Sequence, residues 1–169
     1  MDRALASLSP IVTVRLSLAA LTASDVAAVQ VLTDHPEIIR RITFLKSPFT
    51  LADAAALVAR NAGPDECFFG IWRSSSPRDL SGVVGAHRRS SDEVEIGYWL
   101  GLGHQRQGYA TEAVNGLVAG LRAAYPRTAI VAECDPQNAA SWRVLEKAGF
   151  RPAGREGSRR GRQLLTLAR

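Results

Sequence analysis

A strand-like run, a glycine turn, a long amphipathic stretch and a second strand-like run follow one another between residues 94 and 134, and this order leaves few ways to fold. Val94-Glu95-Ile96-Gly97-Tyr98-Trp99-Leu100 is β-branched and aromatic, as a strand requires. From Thr111-Glu112-Ala113-Val114 onward, apolar residues recur at helical spacing until Pro126, which lacks the N–H that a continuing helix needs. Ala129-Ile130-Val131-Ala132-Glu133-Cys134 is again strand-like. Two strands joined through so long a crossover run parallel. The turn between the first strand and the helix, Gln105-Arg106-Gln107-Gly108-Tyr109-Ala110, then lies at a helix N-terminus. There the first amides have no intrahelical partner and the macrodipole presents about half a positive charge. Such a turn can take a phosphate, with Gly108 sparing the ligand a Cβ, or it can be a plain connection.

The remaining elements fit around this unit. Ile11-Val12-Thr13-Val14-Arg15-Leu16 alternates like a first strand, and Thr22 or Ser24 can cap a helix running from Asp25 to about residue 35. A second helix is expected over residues 50–60, with an irregular connection over 42–49. Strands over 67–72, 82–87 and 93–100, with a turn over 74–79, form an antiparallel meander. The helix after Gly108 is expected over 109–125. A last helix over 139–147, closed by Gly149, leads to strands around 151–154 and over 163–167. The order β-α-α-β-β-β-α-β-α-β-β describes one mixed α/β domain over residues 1–169.

Charge narrows the partners. The chain of 169 residues is 46% hydrophobic, enough for a core, and carries a net +5. Residues 151–169 hold six arginines against Glu156 alone, so the whole excess lies there. That is a local patch, which disfavours a broad nucleic-acid-binding face. The apolar windows are too short for a membrane span and the N-terminus has no signal-peptide pattern, so a cytoplasmic location is expected. Cys67 and Cys134 have no metal-ligand or disulfide spacing and are expected to be reduced and buried. His35 and His87 lack metal-like partners, and His104 reads as a loop residue. Trp72, Trp99 and Trp142 read as core or cleft wall.

Residues 105–110 fit the Q/R-x-x-G-x-G/A signature of the GNAT superfamily of acyl-CoA-dependent N-acyltransferases, and the element order resembles that fold from end to end. Glu95-Ile96-Gly97-Tyr98-Trp99-Leu100, Gly108-Tyr109-Ala110-Thr111-Glu112-Ala113 and the run Asn138 to Phe150 are most similar to the branch containing the ribosomal-protein N-terminal acetyltransferases. The resemblance implies a mostly antiparallel mixed sheet splayed between its two central parallel strands, with acetyl-CoA in the gap and no metal. It places the pyrophosphate on the amides of Gln105, Arg106, Gln107, Gly108, Tyr109 and Ala110. Amides near Leu100 to Leu102 take the pantetheine and polarise the thioester carbonyl. Asn138 matches a residue that contacts the cofactor, though Asn also caps helices well.

Acetyl transfer to an amine needs a deprotonated amine and a proton source for the departing thiolate. The resemblance offers Glu133 as base, on the strand at the cleft, with burial expected to raise its pKa; pairing with an arginine is the structural alternative. Glu95 is the second candidate base, or a solvated residue on a strand face it shares with Glu93, Gly97 and Trp99. Many family members carry a tyrosine seven residues after the position of Asn138, but here that residue is Leu145. Ser141, which the resemblance places near the cofactor sulfur, remains as proton donor, with Tyr98 and Tyr109 as weaker substitutes. The segment Arg155 to Arg162 reads as a solvated hairpin tip or as an attractor for an acidic acceptor.

The implied activity is transfer of acetyl from acetyl-CoA to a primary amine, foremost a protein N-terminus. The alternatives are a small-molecule amine or a non-catalytic acyl-CoA-binding module, which Leu145 brings into view. The family also offers a homodimer, for which no residue here speaks. Replacing Gly108 with a bulky residue is expected to raise the KM for acetyl-CoA far more than that for the acceptor, read from steady-state thiol release.

Overall fold

The computed structural model describes residues 4–168. Eight strands form one sheet in the order β1-β2-β3-β4-β5-β6-β8-β7: β1 (Ile11–Val12), β2 (Leu16–Ala20), β3 (Glu66–Arg73), β4 (Ser76–Ser90), β5 (Glu93–Leu100), β6 (Ala129–Cys134), β7 (Phe150–Glu156) and β8 (Gln163–Leu167). Only β5 and β6 pair in parallel; every other neighbouring pair is antiparallel. The helices are α1 (Val26–Thr33), α2 (Pro36–Ile39), α3 (Leu51–Ala59), α4 (Tyr109–Ala124) and α5 (Ala139–Lys147). Among the described residues no helix is long and apolar enough to cross a membrane.

Each face of the sheet has its own core. Alternation along β5 sends Val94 and Ile96 to the side of α4, whose Val114, Leu117 and Leu121 are buried against them. On the opposite side Trp99, Val83 and Phe68 pack with Val29 of α1 and Leu57 of α3. Trp99 is thus core, and its indole N–H donates to the buried Thr33 hydroxyl at 3.1 Å.

Local signals account for most boundaries. Thr50 and Asp53 form a reciprocal capping box that starts α3, and Thr22 with Asp25 does the same ahead of α1. The expected 11–16 strand is instead two strands, β1 and β2. Thr13 closes a tight turn by its N–H to the Leu16 carbonyl at 2.9 Å, and Val14 at the tip is 94% exposed. An apolar–polar alternation cannot distinguish one strand from two folded back through so short a turn. The α2 turn was likewise not anticipated: Pro36 at its first position and the His35 ring, accepting the Glu37 N–H at 3.2 Å, start it. The expected 74–79 turn is shorter because β4 already begins at Ser76, with bulges opposite Ile71–Arg73.

The sheet opens at its centre. Pairing of β5 with β6 runs from Glu93 opposite Ala129 to Ile96 opposite Ala132 and stops. Beyond it β5 stays bonded to β4 through Leu100, while Glu133 and Cys134 of β6 pair with β8. Replacing the fully buried Leu117 by Ala removes contacts under the rigid part of the parallel pair. It is expected to lower the unfolding free energy by about 2–5 kcal/mol in a denaturant titration.

Candidate active site

Where β5 and β6 part, a cleft of about 920 Å3 is lined from both strands, the turn before α4, the start of α5 and the connection after α2. The turn is rigid by construction. Gly108 has φ 82° and Arg106 φ 61°, so the chain enters α4 through two left-handed residues. Gly108, the N-cap of α4, has no side chain to cap the first turn, and among the described residues its leading amides are left for a ligand. Arg15 braces the turn from outside: its Nη1 donates to the Gln107 carbonyl at 3.0 Å and its Nε to Glu112 at 2.7 Å. A Cβ on Gly108 would lie 3.2 Å from that guanidinium, in a backbone conformation that side chains rarely adopt.

Of the expected cofactor contacts, Leu100, Leu102, Gln105, Arg106, Gly108, Ala110, Asn138 and Ser141 line the cleft. The side chains of Gln107 and Tyr109 have other partners. Gln107 Nε2 turns back to the Gly103 carbonyl at 3.0 Å, and the Tyr109 ring stacks under the Arg15 guanidinium at 4.7 Å. Any part these two take in phosphate binding falls to their backbone. Among the described residues no cluster of His, Cys, Asp and Glu is placed to hold a metal.

Asn138 caps α5: its Oδ1 accepts the Ser141 N–H at 3.2 Å and also Arg41 Nη1 at 3.0 Å. One turn into the helix the Ser141 hydroxyl lies 2.8 Å from the Tyr98 hydroxyl, which also donates to the Ser141 carbonyl at 3.1 Å. Burial pushes the Tyr98 pKa up, against the opposing hydrogen bond from Ser141, so the phenol stays protonated and able to donate. Cys134 stands beside them, its thiol also raised by burial. Leu145 is in the core, 1% exposed.

The two glutamates do meet in the cleft, but arginines hold them. Glu133 Oε1 accepts the Ser158 amide at 2.6 Å, the Ser158 hydroxyl at 2.7 Å and Arg89 Nη2 at 2.9 Å. Its Oε2 accepts the Arg159 amide and Nη1, both at 3.1 Å. Burial acts to raise this carboxyl, but the Ser158 hydroxyl and amide, the Arg159 amide and the Arg159 charge together outweigh it, and the pKa falls to about 2. The expected upward shift is therefore reversed, because burial here comes with a full set of donors. Nor is Glu95 solvated: it is 5% exposed, bonded to Arg89 Nε and Arg159 Nη1, both at 2.6 Å.

The arginine-rich hairpin is accordingly docked, with Arg159 and Arg162 directed inward. Arg162 donates to the Glu133 carbonyl at 3.3 Å and to the Arg41 carbonyl at 2.7 Å. Gly157 makes this approach possible, since a Cβ there would come within 2.5 Å of the Glu133 carboxyl. Sequence reading missed Arg89, Arg41 and His87. Arg89 sits in a bulge between Arg88 and Ser90 that turns it onto the glutamate face, and nothing local marks it. His87 stands directly opposite Glu95 across β4 and β5 and lines the cleft; that register was the available signal. Burial lowers its pKa, against the charges of Glu66 and Glu95, so the imidazole is neutral at pH 7.

Comparison with known proteins agrees with this geometry. The Acetyltransferase (GNAT) domain family matches residues 15–151. An uncharacterised N-acetyltransferase of Bacillus subtilis (strain 168), YnaD, is 28% identical over 144 residues, covering 85% of this chain and 84% of the relative. The fold is similar to that of RimL, a ribosomal alpha-N-protein acetyltransferase solved with coenzyme A, at TM-score 0.79 and 18% identity over 92% and 94% of the two chains. It is also similar to spermidine N-acetyltransferase from Vibrio cholerae, solved with CoA and spermine, at TM-score 0.75 and 16% identity over 91% and 94%.

Glu133→Gln is expected to lower the unfolding free energy by about 3–5 kcal/mol, because it leaves buried arginine charge uncompensated. The depressed pKa sets the pH window. The stability this carboxylate contributes is fully present above its ordinary value near 4.5 and is lost as pH falls toward about 2. Denaturant titrations at pH 7 and pH 3 are expected to differ less in the Gln variant than in the native protein.

Proposed function

Because this chain belongs to the GNAT acetyltransferase family, we propose that it transfers acetyl from acetyl-CoA to a primary amine, with a protein N-terminus as the leading acceptor. One observation carries the donor half of this reading: the first turn of α4, whose N-cap Gly108 has no side chain to cap it, lines the cleft where β5 and β6 separate. Acetyl-CoA, when bound, supplies the acetyl group as a thioester and leaves with its sulfur as a thiolate. The turn at Gln105 to Ala110 would hold its phosphates through backbone N–H groups. The strand end at Leu100 to Leu102 would direct amides at the thioester carbonyl. The likeness to RimL supports a protein N-terminus as acceptor, and the likeness to the spermidine enzyme supports a small amine as the second reading.

The residues divide the proton work as follows. Ser141, hydrogen-bonded to a phenol that stays protonated, donates to the sulfur. Tyr98 positions that hydroxyl and can restore its proton. Glu133 is a feeble base with its pKa near 2, and both glutamates hold arginines instead. His87, neutral and on the same cleft face, is the group able to take the proton of the amine. The buried free thiols of Cys67 and Cys134 suit a reducing, cytoplasmic setting.

Thiol release from acetyl-CoA with a panel of peptides and small amines tests the whole reading. Ser141→Ala is expected to lower kcat by about 10- to 100-fold with little change in either KM, since general acid–base groups contribute on the order of 100-fold or more. His87→Gln is expected to abolish the acid limb of the kcat/KM profile, which in the native enzyme falls as pH drops through the lowered histidine pKa. Binding of acetyl-CoA without turnover on any acceptor would establish a binding module instead.

A further inference from the structure

Glu112 stands where a carboxylate is least welcome if the turn before α4 is to take an anion. It lies in the first turn of the helix, where a negative charge interacts favourably with the helix dipole and so competes with a phosphate for the same potential. The charge is nevertheless held firmly. Burial acts to raise the Glu112 carboxyl, but hydrogen bonds from Thr13 and Arg15 and the Arg15 charge outweigh it, and the pKa is lowered.

The partners of this carboxylate come from the tight turn between β1 and β2. Oε1 accepts the Thr13 hydroxyl and the Arg15 N–H, both at 2.7 Å, and Oε2 accepts Arg15 Nε at 2.7 Å. The same guanidinium donates through Nη1 to the Gln107 carbonyl at 3.0 Å and covers the Tyr109 ring at 4.7 Å. Arg15 thus joins Glu112 to the peptide through which the chain enters α4.

That peptide, Gln107 to Gly108, is trans, and a trans peptide points its C=O and its N–H in opposite directions. With the Gln107 oxygen fixed on Arg15, the Gly108 N–H is directed away from Arg15. Gly108 lines the cleft, whereas Arg15 and Glu112 line a shallow depression on the outer side of the same turn, which Gly108 also borders. A glycine turn left to itself samples other peptide orientations, and ordering it on binding would weaken the ligand's hold.

We propose that Arg15, anchored by Glu112, is a positioning residue for the donor: it fixes the Gln107–Gly108 peptide so that the Gly108 amide is aimed at the pyrophosphate of acetyl-CoA. The identity of that anion rests on the acetyltransferase reading. A hairpin outside the cleft thereby sets the affinity of a site that its side chains do not line. The rival arrangement has Arg15 itself reaching round to the phosphate.

Calorimetric titration of coenzyme A separates the two, because Glu112 acts with opposite sign in them. The side-chain amide of Glu112→Gln has one acceptor oxygen, so it cannot hold Arg15 as the carboxylate does, while a charge that repels phosphate is removed. Positioning predicts that the Kd for coenzyme A rises about tenfold in Arg15→Gln and about threefold or more in Glu112→Gln, as the loss of about one hydrogen bond to a charged group would give. The KM for acetyl-CoA is expected to rise in parallel, with kcat and the acceptor KM changing less than about twofold. Arg15→Lys keeps the charge but not the planar fork that bonds Glu112 and Gln107 together, and is expected to bind as weakly as Arg15→Gln.

Tighter binding in Glu112→Gln, or native affinity in Arg15→Lys, would overturn the positioning role and make Arg15 a direct phosphate ligand. An unchanged Kd in Arg15→Gln, or a fall in kcat as large as the rise in KM, would overturn it as well. Absence of thiol release with every acceptor would overturn the acetyltransferase reading, and the coenzyme A titrations would still decide the role of Arg15. Absence of coenzyme A binding to the native protein would overturn both.

Discussion

The end of parallel pairing after Ile96 and Ala132 is the constraint on which the site depends. Up to that point β5 and β6 satisfy one another; beyond it each keeps one antiparallel neighbour and faces a gap. An open seam through a sheet leaves backbone groups without ladder partners, and a ligand that lies in it can take them up. The same opening sets the N-terminus of α4 and that of α5 on the two sides of the cleft. A continuous sheet would have closed the space in which donor and acceptor have to meet.

The second constraint is the charge cluster below the opening. Two buried carboxylates that share the same two arginines would repel each other in a dry site without them. Arg89 and Arg159 remove that repulsion and draw the β7–β8 hairpin onto the cleft, where Ser158 completes the coordination of Glu133. Rigidity and catalysis then fall to different groups. The glutamates hold the wall in place through their arginines, while Ser141, Tyr98 and His87 are the groups proposed for proton movement. The hairpin also reaches the connection after α2 through Arg162 and Arg41, so three segments far apart in sequence share one rim.

Most of the fold was legible because the relevant signals are local. Strand β5, strand β6 and helix α5 follow from β-branched or amphipathic runs bounded by Gly, Pro and Asn, which act within a few residues. The turn at Gly108 was readable for the same reason: a left-handed glycine leading into an amphipathic run marks a helix start. Errors occurred where local pattern is ambiguous. The alternation from Ile11 to Leu16 fits a strand whether or not Thr13 folds it back on itself. The turn of α2 is four residues long, too short for any periodicity to show.

The site was legible by type and not by state. The sequence determined, through its resemblance to the GNAT family, that Glu95, Glu133, Ser141 and the turn before α4 would lie at one cleft, and they do line one cleft. Only the tertiary structure decided which of them are available for chemistry. Whether a buried carboxylate is a base or a clamp depends on how many donors surround it, and those of Glu133 come from positions 89, 158 and 159, brought together by a bulge and a hairpin. A pKa is the sum of opposing contributions of similar size, desolvation against hydrogen bonds and charges. Sequence spacing can place a residue near a cleft, but the sign of that sum is set by contacts between segments that the sequence keeps far apart.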